Sequence, residues 1–208
     1  MCYNFLTERR YAPQGAPPQG GKFMRKNFGA KTYLYPLPVL IVAAYDENGT
    51  PNAMNAAWGG ISDDNQVALC LSAGHKTTKN ILAKGAFTVS MADAAHVVEC
   101  DYLGVVSGNK EPNKLAKAGL HAVKSEFVDA PVIEELPMTL ECKLIKVTQE
   151  GLILGEIVNV SADESILDKS GKIDPAKLRP ITFDPVNNKY IQLGEVVGNA
   201  FRDGLKIK

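Results

Sequence analysis

Residues 66–85 read QVALCLSAGHKTTKNILAKG. Gln66 to Ser72 is short and mostly apolar, as a strand should be. Thr77–Ala83 is built of helix-compatible residues and stops at Gly85, the residue type best suited to a left-handed C-cap. The corner between them carries Gly74, His75, Lys76, Thr77, Thr78 and Lys79. A helix start exposes unpaired backbone N–H groups at the positive end of its dipole, so it attracts anions. Gly74 lets the chain turn and lets a ligand approach the backbone, the threonines offer hydroxyls, and His75, Lys76 and Lys79 add charge. Two readings follow. Either the corner receives a phosphate, or Ser72 or Thr77 simply caps a helix whose lysines are solvated.

Working outward, Val39–Tyr45 reads as a strand. Asp46-Glu-Asn-Gly-Thr50 is a hairpin loop, and Pro51–Trp58 returns as a second strand. That return strand is unusually small. Ala53, Ala56 and Ala57 predict a shallow floor beside Asn55, whose amide suits the edge of an amide-like ring. The plainer alternative is a barrel strand with Trp58 in the core. Asp63-Asp64-Asn65 reads as a turn. Ala86–Met91 is a further strand, 94–104 a helix, and 114–118 a short helix ending at Gly119. Residues 138–148 alternate, with Leu140, Cys142, Leu144 and Ile145 as apolar members, and turn at Gln149-Glu-Gly151 into a strand over 152–160. Short strands follow at 181–184 and 190–193. The pattern predicts a mostly β, largely antiparallel barrel with a few short helices on its surface.

The 208 residues are 45% hydrophobic, enough for one sizeable core, and 23 Lys plus Arg balance 23 Asp plus Glu. Balanced charge argues against a global grip on nucleic acid or on an anionic membrane. No apolar run approaches the roughly 20 residues of a membrane helix. Cys2, Cys70, Cys100 and Cys142 form no C-x-x-C pair, which fits a reducing cytoplasm and argues against zinc. The histidines are scattered, so no metal site is expected. Residues 1–23, rich in Gly, Pro and Gln, read as a leader, tag or flexible arm, and 24–208 as a single domain.

Six stretches taken in order resemble the flavin reductase-like, FMN-binding split-barrel family of the flavoredoxin type. They are Pro36–Val39, Asn52–Trp58, Ser72–Ile81, Phe87–Ser90, Asp101–Gly108 and Leu193–Gly198. The resemblance implies a split β-barrel of Greek-key type holding FMN non-covalently at a homodimer interface. Carried over by position, Met54, Asn55, Ala56, Ala57 and Trp58 line the isoalloxazine, largely through backbone groups. Ser72, Ala73 and Gly74 reach the ribityl chain, and His75, Lys76, Thr77, Lys79 and Asn80 surround the phosphate. Ser90 stands where the family often has Asn at the ring. Asp101, Tyr102, Ser107 and Gly108 either cover the ligand or shape a helix end. No G-x-G-x-x-G opens a helix, so no Rossmann site is read.

A flavin does the redox chemistry itself, so no catalytic acid, base or nucleophile is named. Three activities fit the resemblance: an NAD(P)H-dependent flavin oxidoreductase, a flavoredoxin-like carrier passing electrons between protein partners, and a flavin-binding module without turnover.

Overall fold

A computed structural model describes residues 24–207. The expected arm at 1–23 lies outside them. The chain groups into two units, Leu34–Leu193 on one hand and Met1–Tyr33 with Gly194–Lys208 on the other. In the second, 24–33 lacks regular structure apart from a bend at Ala30 and 194–207 ends in a 3-10 turn at Asp203–Lys206.

The larger unit is built on a seven-stranded antiparallel sheet. Its strands are β2 (Leu40–Tyr45), β3 (Pro51–Ala56), β4 (Gly59–Asp63), β5 (Gln66–Cys70), β6 (Ala86–Met91), β9 (Met138–Val147) and β10 (Leu152–Ala162). They run in the order β3-β2-β6-β9-β10-β5-β4, so β3 and β4 are the two edges although they follow one another in sequence. The sheet curls into the barrel that the pattern predicts, split as the resemblance implies. A second sheet orders β1 (Leu37–Pro38), β11 (Ile181–Asp184) and β12 (Lys189–Gln192), and β7 (Ala122–Lys124) pairs with β8 (Pro131–Ile133). Four short helices complete it: α1 (Lys76–Lys84), α2 (Val97–Val105), α3 (Lys114–Lys117) and α4 (Pro175–Leu178).

β2, next to the β3 edge, is buried on both faces. Leu40, Val42 and Ala44 join Phe87, Val89, Leu69 and Ile153 in the barrel interior. Ile41 and Ala43 point the other way and pack with Ala53, Cys100, Leu103, Leu115 and Ile181. This strict alternation is the period-2 geometry of a strand. The same rule corrects the expected floor: Ala53 lies in the outer cluster and Ala56 in the inner one, so they do not share a face. Gly155 sits against the Phe87 ring, which leaves no room for a side chain there.

Several expected boundaries shift for physical reasons. The strand expected over 51–58 breaks after Ala56, and Gly59 begins a new edge strand, β4. Gly59 is required where it stands, since a Cβ would come 2.6 Å from Leu69 Cδ2. Ile145 is not a core residue. Leu154 pairs with Lys146 and Gly155 with Leu144, so Ile145 is the extra residue of a β-bulge and is exposed. Gly85 takes φ 66° and donates to the Ile81 carbonyl, closing α1 as expected.

Behind the sheet lies a buried polar cluster. The Glu141 carboxylate is 2% exposed, accepts from the Ser125 hydroxyl, and accepts from Asn159 Nδ2 at 2.7 Å. Ser125 Oγ in turn accepts from the backbone N–H groups of Phe127 and Val128, so the cluster ties the 125–130 loop to β9 and β10.

Candidate functional site

A cleft of about 190 Å³ opens where β3, the start of α1, the end of α2 and the 103–108 segment meet. Met54, Leu103, Val105 and Val106 supply an apolar wall, while Asn52, Asn55, His75, Thr77 and Lys114 supply polar groups.

The start of α1 is uncapped by any side chain. His75 is the N-cap and its ring makes no cap hydrogen bond. Thr77 does not cap either: its Oγ1 accepts from Asn52 Nδ2 at 2.6 Å, which leaves the hydroxyl proton to be donated elsewhere. Ser72 stands in the exposed turn, its carbonyl accepting from the His75 N–H at 3.1 Å. The plainer of the two readings of this corner, a helix start closed by Ser72 or Thr77, is therefore not the one seen. Asn52 Oδ1 and Thr78 Oγ1 are buried and, among the described residues, have no hydrogen-bond partner. Such atoms cost free energy unless something supplies a partner.

β3 and β5 are not neighbours in the sheet; the Asn52–Thr77 bond ties β3 to the start of α1 instead. The 104–108 segment closes over β3 because two of its residues are glycines. A Cβ on Gly104 would come 3.2 Å from Asn55 Cβ, and one on Gly108 would overlap Asn52 Oδ1. Asn109 Nδ2 donates to the Gly74 carbonyl at 3.0 Å and links this segment to the corner.

Of the residues singled out from sequence, Met54, Asn55, His75, Lys76, Thr77, Ser107 and Gly108 line the cleft. Asn55 donates from Nδ2 to the Cys100 carbonyl at 3.0 Å and reaches Tyr190 Oη at 3.5 Å, so its amide nitrogen holds α2 in place. Tyr190 donates to Asp101 Oδ1 at 2.7 Å; burial first, then that bond, pushes the phenol up to about 12. Asp101 thus shapes this side of α2 rather than the cleft.

The remaining residues sit elsewhere, and Lys76, though it lines the cleft, turns its Nζ to within 3.3 Å of Asp46 Oδ2. Lys79 lines a separate hollow beside the β2–β3 loop together with Asp46, Glu47 and Asn48, and buried Asn80 donates to the Ala44 carbonyl at 3.2 Å. The reason is helical periodicity: positions 76, 79, 80 and 83 share one face of α1, and that face looks at the hairpin. Ser72, Ala73 and Gly74 form the exposed turn. Ala57 follows β3 half-buried, and Trp58 is 54% exposed rather than in the core. Ser90 is fully buried on the face of β6 opposite Phe87 and Val89, with its hydroxyl 2.8 Å from Thr139 Oγ1, and does not reach the cleft.

Lys114 escaped the sequence reading. It is 2% exposed, and its Nζ donates to the carbonyls of Leu103 at 2.9 Å and Val106 at 2.8 Å. Burial lowers its ammonium to about 8. Nothing in the sequence separates it from the other lysines, because what encloses it is tertiary. Among the described residues no group of three or more His, Cys, Asp or Glu is placed to hold a metal, and no helix is long and apolar enough to cross a membrane.

An antiparallel split barrel with a cleft at an uncapped helix start defines the class. Residues 32–178 match the model of the flavin reductase like domain, and the chain belongs to that family. Among solved structures it is similar to the flavoredoxin of Desulfovibrio vulgaris (Miyazaki F), at 40% identity and a TM-score of 0.84 over 87% of this chain and all (100%) of that one. A flavoredoxin from Methanosarcina acetivorans shares the fold, at 24% identity and a TM-score of 0.78 over 90% of this chain and 100% of that one. An uncharacterized protein of Archaeoglobus fulgidus is 33% identical over 147 residues, 68% of this chain and 80% of the relative.

Proposed function

We propose that the chain is an FMN-binding redox protein and that the cleft beside Thr77 takes the cofactor. The observation that carries this is the pairing, in one cleft, of an apolar wall with a helix start that no side chain caps. Those are the demands of a flavin: a flat apolar ring and a phosphate. The orphaned Asn52 Oδ1, the spare Thr77 proton and the His75 ring add polar partners of both kinds. Bound FMN supplies the electron transfer itself. The protein's part is to grip and orient: Met54, Leu103 and Val106 exclude water from the ring, while His75 and Thr77 with the first N–H groups of α1 hold the phosphate.

The similarity to a flavoredoxin over its whole length favours an electron carrier that keeps its FMN and serves protein partners. The family's description favours the second reading, an NAD(P)H-dependent flavin oxidoreductase in which a nicotinamide stacks transiently on the ring. A homodimer belongs to either reading. The cleft is smaller than the ~300–1,000 Å³ typical of ligand sites, so one chain covers only part of an FMN. Trp58, Ile61, Val98 and Val105 are apolar and exposed on the same unit, ready for a second copy.

Absorption spectra of the purified protein before and after FMN, and then after anaerobic NADH and NADPH, test these readings. Retained stoichiometric FMN that neither pyridine nucleotide bleaches fits the carrier. Bleaching with exchange of FMN fits the oxidoreductase. Apo-protein that ignores FMN overturns both.

A further inference from the structure

Lys114 is a buried cation without an anion. Its ammonium has three N–H donors, two of which meet the neutral carbonyls of Leu103 and Val106. Among the described residues it makes no salt bridge, unlike Lys76, Lys84 and Lys117, each of which meets a carboxylate. Nearby Glu111 is already bonded to Lys117. Buried charges in proteins are ordinarily paired, because desolvation of an unpaired ion is costly. Here the cost is visible in the ammonium's lowered affinity for its proton. Lys114 nevertheless lines the cleft, together with His75, Thr77 and Asn52, whose Oδ1 is orphaned.

Resting on the FMN reading above, we infer that Lys114 is a ligand-binding residue whose missing counter-charge is a negative charge of the flavin. Two parts of that ligand can supply it. One is the phosphate. The other is the ring after reduction, when two electrons and one proton taken up leave one negative charge on it. Lys114 thus has a second role besides holding the 103–108 segment: it makes the cleft more favourable to the anionic form of its occupant.

The test compares FMN and riboflavin affinities, and the reduction potential of each bound flavin with dithionite as reductant, in the wild type, Lys114→Met and Lys114→Arg. A phosphate contact predicts that Lys114→Met loses about tenfold to a hundredfold of FMN affinity while riboflavin affinity holds. A ring contact predicts the same loss for the reduced form of both flavins over the oxidised, a fall of about 30–60 mV in potential for a two-electron couple. In either case Lys114→Arg, which keeps the charge, recovers most of the effect. Because each reading is a ratio of two ligands or two redox states in one protein, a general loosening of the fold cancels. Equal losses for every flavin with an unchanged potential, in Met and Arg variants alike, overturn the inference and leave Lys114 as a fastener of the 103–108 segment. A wild type that binds neither flavin overturns the FMN reading as well.

Discussion

Two buried polar clusters in this protein invite comparison. Around Glu141 the carboxylate meets the Ser125 hydroxyl and the Asn159 amide, and Ser125 meets two backbone N–H groups. In the cleft, among the described residues, Asn52 Oδ1 has no partner and Lys114 has only neutral ones. Both clusters are enclosed by the fold, so burial alone does not distinguish them. Completeness does. A network that satisfies itself holds architecture together, whereas one left open implies something that completes it.

Breaking the closed network should have the largest effect. Glu141→Ala leaves the buried Ser125 hydroxyl and the half-buried Asn159 amide without their partner, and loss of a buried hydrogen-bonded carboxylate is expected to cost about 3 kcal/mol. Urea unfolding measures it, and flavin affinity of the folded protein should be unchanged. A small loss of stability with a large loss of binding would reverse the assignment of the two clusters.

The open cluster answers next. Thr77→Val should lower FMN affinity about tenfold, or about 1.4 kcal/mol, and leave riboflavin affinity unaltered. Lys79→Met, on the face of α1 turned to the β2–β3 loop, should alter neither. Calorimetric titration of both flavins into both variants checks the contrast. Equal losses from the two substitutions would place the phosphate on the other face of α1.

The smallest effect is a pH signature of the uncompensated charge. Lys114 holds its proton up to about 8 when folded, against an ordinary 10.5. Between those values the unfolded chain binds more protons, so stability rises with pH. Cys100 and Cys142 act oppositely. Burial lifts both thiols from 9.0 to about 12, so the stability they contribute is present below 9 and lost as pH rises toward 12. Tyr190, lifted from 10.0 to about 12, adds to that loss. Stability is therefore expected to climb by at most about 1 kcal/mol from pH 8 to 9 and to fall beyond. Urea midpoints across this range should show the climb in the wild type and none in Lys114→Met.

Local chemistry was legible in the sequence; what distant segments do to one another was not. The hairpin at Asp46–Thr50, the span of β6, the long β9–β10 pair and the Gly85 cap all follow from turn residues and apolar period. β4 went unassigned because two glycines carry no strand signal, although Gly59 is there to let Leu69 approach. Lys79 and Asn80 were grouped with Thr77 by proximity in sequence, yet the helix turns them to another side. Ser90 belonged to a strand read correctly, and its partner Thr139 stands 49 positions away. Lys114 is the clearest case, since its enclosure depends on α2 ending where it does.

Trp58 carries a practical consequence. It is the chain's one tryptophan. Its carbonyl is pinned by the Cys70 N–H at 2.8 Å while its indole stands 54% exposed at the corner between β3 and β4. An indole in water emits at longer wavelength than one that is covered, and oxidised flavin absorbs in the region where indole emits. The molecule therefore contains its own optical probe. A second copy settling over this corner would shift the emission blue, and a flavin arriving nearby would dim it. Dilution and flavin titration, read at a single excitation wavelength on unlabelled protein, separate those two events.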